Sequence, residues 1–138
     1  MFRIRYLISY SDVKEYLATG DSLYGYLWFE IEGEIIGRDP MALPLPLDFL
    51  DEAMISWMDS LDRVAGLAEG ESKKCFFCTC NRLNLIFKNT DGSHMEITYK
   101  RDDEPVWTKS FDRSQILDEI EKFDRYMKSG FSYVRECE

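Results

Sequence analysis

The chain is poor in the residues that do chemistry. It holds one histidine among 138 residues, and 17 Lys and Arg against 26 Asp and Glu, for a net charge of -9. A lone imidazole leaves little scope for histidine-based acid–base catalysis or His-rich metal centres. The shortage of positive charge argues against nucleic-acid binding, which runs on clustered Lys and Arg. Long apolar runs are missing too, and none approaches the ~20 residues of a membrane-spanning helix. The opening Met1-Phe2-Arg3-Ile4-Arg5-Tyr6-Leu7-Ile8 has neither an apolar stretch of signal-peptide length nor a small-residue cleavage site. It reads as a first strand, and the protein as cytoplasmic, without membrane contact. No repeat, P-loop, G-x-G-x-x-G, G-x-S-x-G or D-x-D-x-D-G pattern occurs.

What is present is the composition of a folded protein. Hydrophobic residues make up 45% and aromatics 14%, far from a disordered balance. The length suits a single domain over residues 1–138, enough to bury one core.

Hydrophobic spacing predicts the elements. Phe2, Ile4, Tyr6 and Ile8 alternate with Arg3, Arg5 and Leu7, as in a strand. Asp12 to Leu17 reads as a short helical turn ended by Gly20. Tyr24 to Ile36 is a hairpin candidate: Leu27, Phe29 and Ile31 share one face, while Tyr24, Tyr26, Trp28, Glu30 and Glu32 share the other. Glu32-Gly33 supplies its turn. Three prolines within 40–46 exclude a helix interior there and predict an extended connector. A helix follows from Leu47 to Ala65, with Asp48 as N-cap and Gly66 as stop. Its apolar stripe is Leu50, Ala53, Met54, Trp57, Met58, Leu61, Val64 and Ala65.

Four further strands are expected at Lys74–Cys80, Arg82–Lys88, His94–Lys100 and Val106–Phe111. Asn89-Thr90-Asp91-Gly92 is a turn and Asp102-Asp103-Glu104-Pro105 a loop. Asp112 then caps a helix whose buried face is Ile116, Ile120, Phe123 and Met127, with Gln115 as capping-box partner and Gly130 as stop. Phe131 to Val134 is a short tail. The order predicts an α+β fold: a single antiparallel sheet of about five to seven strands, with two main helices on one face.

Candidate chemistry is thin. Cys75-x-x-Cys78-x-Cys80 suggests zinc, but a structural site needs four ligands, and only His94 and Cys137 remain to complete one. On a strand Cys75 faces away from Cys78 and Cys80. A redox CxxC normally opens a helix, whereas Phe76-Phe77 lies between these thiols. Reduced, partly buried cysteines are the simpler reading. His94 follows the Asp91-Gly92-Ser93 turn and reads as a surface histidine at a strand end. Glu30, Glu32 and Glu34 alternate as solvent-facing acids do, so they need no paired-carboxylate chemistry. No catalytic residue, metal or other cofactor is expected.

Two surfaces are candidates for binding a partner. Segment 48–70 carries six acids (Asp48, Asp51, Glu52, Asp59, Asp62, Glu69) and one base, Arg63. Asp51, Asp59 and Asp62, with Glu52 nearby, fall opposite the apolar stripe. Like charges so spaced weaken a helix slightly, so they serve either solvation or a basic partner. The second surface is the strand face Tyr24, Tyr26, Trp28, Glu30 and Glu32, where aromatic anchors sit beside acids; it could equally lie under a helix as core, with only its acidic end exposed. Segment 71–110 has seven bases and six acids, which polarises the molecule. A free strand at either end of the sheet offers a route to a dimer, with no residue favouring dimer over monomer.

The Tyr26-Leu27-Trp28-Phe29-Glu30-Ile31-Glu32-Gly33-Glu34 hairpin, and the late Val106-Trp107 strand running into the Phe111-to-Met127 helix, resemble the layout of small bacterial immunity proteins of contact-dependent and other polymorphic toxin systems. The resemblance covers most of the chain in order of elements, without a diagnostic motif. It implies a non-enzyme that binds and neutralises a cognate toxin, often a nuclease with a basic active site. Asp51, Glu52, Asp59 and Asp62 would then steer the partner, with Tyr26 or Trp28 as hydrophobic anchors. The competing readings are an acidic adaptor or DNA mimic that binds another basic protein, and a metal- or thiol-based activity at Cys75, Cys78 and Cys80.

Overall fold

Alternation along Phe2–Leu7 and Tyr24–Ile31 sets up the first sheet. In the computed structural model, which describes residues 1–7, 18–19, 24–36, 45–46, 52–76 and 83–128, these segments are β1 and β2, paired antiparallel with Phe2 opposite Ile31 and Ile4 opposite Phe29. All four side chains are buried. The chain then turns back into β3 (Glu34–Ile36). The turn residues Glu32 and Gly33 have φ of 52° and 82°, the two positive values of a type I′ hairpin, whose twist matches that of the strands. The proline connector supplies β4 (Leu45–Pro46), a two-residue strand against Tyr24 and Gly25 of β2.

Helix α1 (Glu52–Ala65) ends where Gly66 predicted. Its buried residues Trp57, Leu61 and Val64 keep helical spacing. The last carbonyls of a helix lack intrahelical donors. Here the Gly66 N–H bonds Asp62 O at 3.1 Å, and the Arg113 Nη2 donates to Ala65 O at 3.2 Å. The Arg113 guanidinium also suits the negative end of the helix dipole.

Residues 72–112 form an antiparallel meander: β5 (Ser72–Phe76), β6 (Leu83–Asn89), β7 (His94–Arg101) and β8 (Glu104–Asp112), in the order β5-β6-β7-β8. Cys75, Leu85, Phe87, Met95, Ile97 and Phe111 are buried on one face. β8 begins earlier than expected, because the reversal takes only Asp102 and Asp103, at φ of 54° and 66°. Aspartate tolerates that region better than most residues, so Glu104 and Pro105 join the strand. Helix α2 (Arg113–Lys128) follows directly and buries Ile116, Ile120 and Phe123.

The fold is α+β as expected, but the single sheet is not. The strands form two antiparallel sheets, β1-β2-β3 with β4, and β5-β6-β7-β8. Part of the reason is visible at the edge of β1, where the outward N–H of Ile4 donates to Glu119 of α2 at 3.3 Å. A helix thus occupies an edge to which another strand would have to add. One apolar cluster draws on both sheets and both helices. Phe2 of β1 meets Phe87 of β6 edge-on, with centroids 6.1 Å apart.

Several expected features fall outside the described residues: Asp12–Leu17 and its Gly20 stop, the Asp48 cap, Leu50, Cys78, Cys80, Cys137, Gly130 and the 131–134 tail.

Candidate acidic binding surface

The predicted site residues separate into two places. Asp59 and Asp62 lie on the exposed side of α1, away from buried Trp57, Leu61 and Val64. Asp59 is paired with Arg63 one turn on, at 3.2 Å with both side chains largely exposed. Such a pair contributes little to stability, about 0.3–0.5 kcal/mol. Glu69 and Glu71 extend the acidic surface past the helix end. Glu71 is partly committed, accepting the Ala68 N–H at 2.7 Å. Glu52 is the first residue described in α1, and Asp51 lies outside the described residues.

The strand face keeps the alternation read from the sequence. Phe29 and Ile31 point into the core, so Trp28 and Glu30 face outward and are half-buried. The side chains beside them come from β1, where Arg3 is opposite Glu30 and Arg5 opposite Trp28. Arg5 Nε donates to Glu30 at 3.0 Å. Glu32 receives the N-terminal ammonium of Met1, which holds its carboxyl below the usual carboxylate range. Glu34 accepts the indole N–H of Trp107 at 2.9 Å. The three strand acids thus have partners within the chain, while Ile35 stands 59% exposed opposite Glu30. Tyr26 belongs to β2.

Arg5 and Ile35 were not picked out from the sequence. The β1–β2 pairing is long-range, and no turn chemistry fixes its register. The alternation of Arg3 and Arg5 was the available signal, and it pointed to exposure rather than to a partner.

Of the positions considered for chemistry, Cys75 and His94 are among the described residues. Cys75 lies in the core opposite Leu85, and burial pushes its thiol pKa up to about 11. Thiolate, the metal-binding and nucleophilic form, is thereby disfavoured. His94 is exposed between two acids, with Nδ1 3.0 Å from Asp91 and Nε2 3.7 Å from Asp112. Among the described residues no group of three or more His, Cys, Asp or Glu is placed to hold a metal ion. A groove of about 310 Å³ between β1 and α2 is lined by Ile4, Arg5, Glu119, Lys122 and Phe123. Glu119 is the carboxylate that holds the Ile4 N–H there.

The fold and surface define an acidic two-sheet α+β protein. No protein-family model, curated protein or solved structure matches the chain. Among the described residues no helix is long and apolar enough to cross a membrane.

Proposed function

We propose that this chain is an immunity-type protein, not an enzyme, which binds a basic partner domain and neutralises it. The partner class that fits best is a toxin, with a nuclease whose positively charged cleft accepts nucleic acid as the leading case. The supporting observation is the exposed face of α1, where Asp59 and Asp62 project with Arg63 as the one basic neighbour in segment 48–70. Acids so placed steer a basic partner during encounter and raise the association rate. Arg5 reduces the local negative charge beside Glu30, so α1 and its C-terminal loop carry the steering. Trp28 remains a candidate anchor on the adjoining sheet, half-buried and opposite Arg5 of β1.

Growth rescue tests this reading. The C-terminal domain encoded beside this gene is expressed in a laboratory host, with and without the chain. Toxicity abolished by co-expression supports the inhibitor. A harmless neighbour, or toxicity without rescue, contradicts it and favours an acidic adaptor or DNA mimic for another basic protein.

A further inference from the structure

The strand edges of the molecule are not treated alike. The edge of β1 is covered by α2, with Glu119 on the Ile4 N–H. The edge strand β5 carries Lys73 and Lys74, and charged side chains discourage strand addition. β8 is the other edge of its sheet and is nine residues long. Its guards sit at one end, where Pro105 and a register shift opposite Tyr99 and Lys100 break the ladder. Beyond them the strand runs regularly to Asp112.

The outward backbone groups of β8 can be identified. Arg113 N donates to Ser93 O at 2.8 Å, continuing the register in which Asp112 pairs with His94. In an antiparallel ladder the backbone N–H and C=O of successive residues address opposite sides. Phe111, Lys109 and Trp107 therefore face β7, while Ser110 and Thr108 direct theirs away from the sheet. The side chains of Val106, Thr108 and Ser110 are all exposed, Val106 at 51%. Among the described residues no backbone bond reaches Thr108 or Ser110 from outside the sheet.

We infer that the edge of β8 receives a β-strand from a basic protein partner, added antiparallel alongside Val106–Asp112. The inference rests on the basic-partner reading above and adds a second contact surface to it. Charge selects the occupant. The strand is flanked by exposed Asp103 and Glu104 at its start and Asp112 at its end; Lys74 Nζ stands 3.7 Å from Asp103 and His94 Nε2 3.7 Å from Asp112, beyond hydrogen-bond reach, and Lys109 of the strand itself is turned over the Trp107 ring at 4.7 Å. An incoming strand with Lys or Arg toward its ends meets opposite charges at both. Self-pairing with a second copy in the register centred on Thr108 instead sets Glu104 opposite Asp112, and like charges directly opposite destabilise a sheet.

Amide hydrogen exchange on the whole chain tests the inference, with a synthetic strand of alternating Thr and Val ended by lysines as probe. In the free chain the Thr108 and Ser110 amides exchange fast, while those of Lys109 and Phe111 are protected by β7. The lysine-ended peptide slows Thr108 and Ser110 at least tenfold, and a glutamate-ended peptide of the same pattern does not. Thr108→Pro removes an outward donor and none of the β7 ladder, so it abolishes the effect while the remaining amides keep their protection. Thr108→Ala, which keeps the donor, retains it.

Three results overturn the inference: no slowing with the lysine-ended peptide, equal slowing with both peptides, or concentration-dependent protection without any peptide, which would make a second copy the occupant. Failed growth rescue alongside peptide protection at Thr108 and Ser110 removes the toxin reading and leaves the strand site. Rescue that survives Thr108→Pro but is lost with charge reversal on α1 does the opposite.

Discussion

Trp57 of α1 stacks on Phe29 of β2, with ring centroids 5.1 Å apart and planes 13° from parallel. Phe29 also lies 5.7 Å from Phe2, and Trp57 lies 6.3 Å from Phe123 of α2. These aromatic contacts tie the first sheet to both helices. Trp57 is 1% exposed and is the largest fully buried side chain.

Trp57→Ala is expected to destabilise the fold by about 3–5 kcal/mol, the loss typical of a large aromatic cut from a packed core. Urea unfolding followed by circular dichroism reads the shift in midpoint. A shift under ~1 kcal/mol, the size of a surface change, would show that this stack does not organise the core.

Asn89 is a buried polar residue with two structural bonds. Its Nδ2 donates to Leu67 O at 2.8 Å, and its Oδ1 accepts Gly92 N–H at 2.8 Å. It thus joins the loop after α1 to the β6–β7 turn, where Gly92 has φ of 84°. Asn89→Ala strips a partner from both backbone groups and is expected to cost about 1–3 kcal/mol. Asn89→Asp keeps the acceptor alone and should restore the turn but not the Leu67 contact, as amide exchange at Gly92 and circular dichroism melts would report.

Asp91 accepts the N–H groups of Ser93 and His94 and a bond from the His94 ring, and these hold its carboxyl below the ordinary aspartate value of 3.8. A carboxyl with a depressed folded pKa stabilises the fold above its unfolded value and loses that contribution as pH falls through the folded one. The β6–β7 turn is therefore expected to loosen only below pH 3.8. An NMR titration of the Ser93 and His94 amides checks the direction. A midpoint at or above the ordinary carboxylate value would remove these bonds from the account.

Cys75 tests the core from another side. Its folded pKa, about 11 against 9.0, keeps the thiol neutral while an unfolded thiol ionises. The neutral form is favoured in the fold, so its contribution is full below pH 9.0 and is lost as pH rises toward about 11. The same burial predicts that at pH 8 a thiol reagent labels Cys75 only after denaturant is added. Peptide mapping by mass spectrometry separates it from the other three cysteines. Native labelling would contradict its place in the core.

Local patterns carried much of this fold. The 3.6-residue stripe placed Trp57, Leu61 and Val64 inward, and alternation did the same for Phe29 and Ile31. The division into two sheets was not legible, because the pairing of β1 with β2 and the docking of α2 on β1 join residues far apart in sequence. Single-residue rules misjudged the Asp102–Asp103 turn, where two aspartates adopt positive φ without glycine. At the candidate site, exposure of Asp59 and Asp62 followed from helical periodicity, whereas the Arg5–Glu30 pair depended on a register that no local signal sets.

The central claim is that the acids of α1 steer a basic partner. Its most direct test is the association rate between this chain and the toxin domain it rescues, measured by stopped flow at low and high salt for wild type and for the Asp59→Lys/Asp62→Lys double variant. The wild-type rate is expected to fall steeply with salt, and the variant to associate at least about tenfold more slowly at low salt with the salt dependence flattened. Equal rates for the two proteins, across the salt range, would contradict the assignment of this surface.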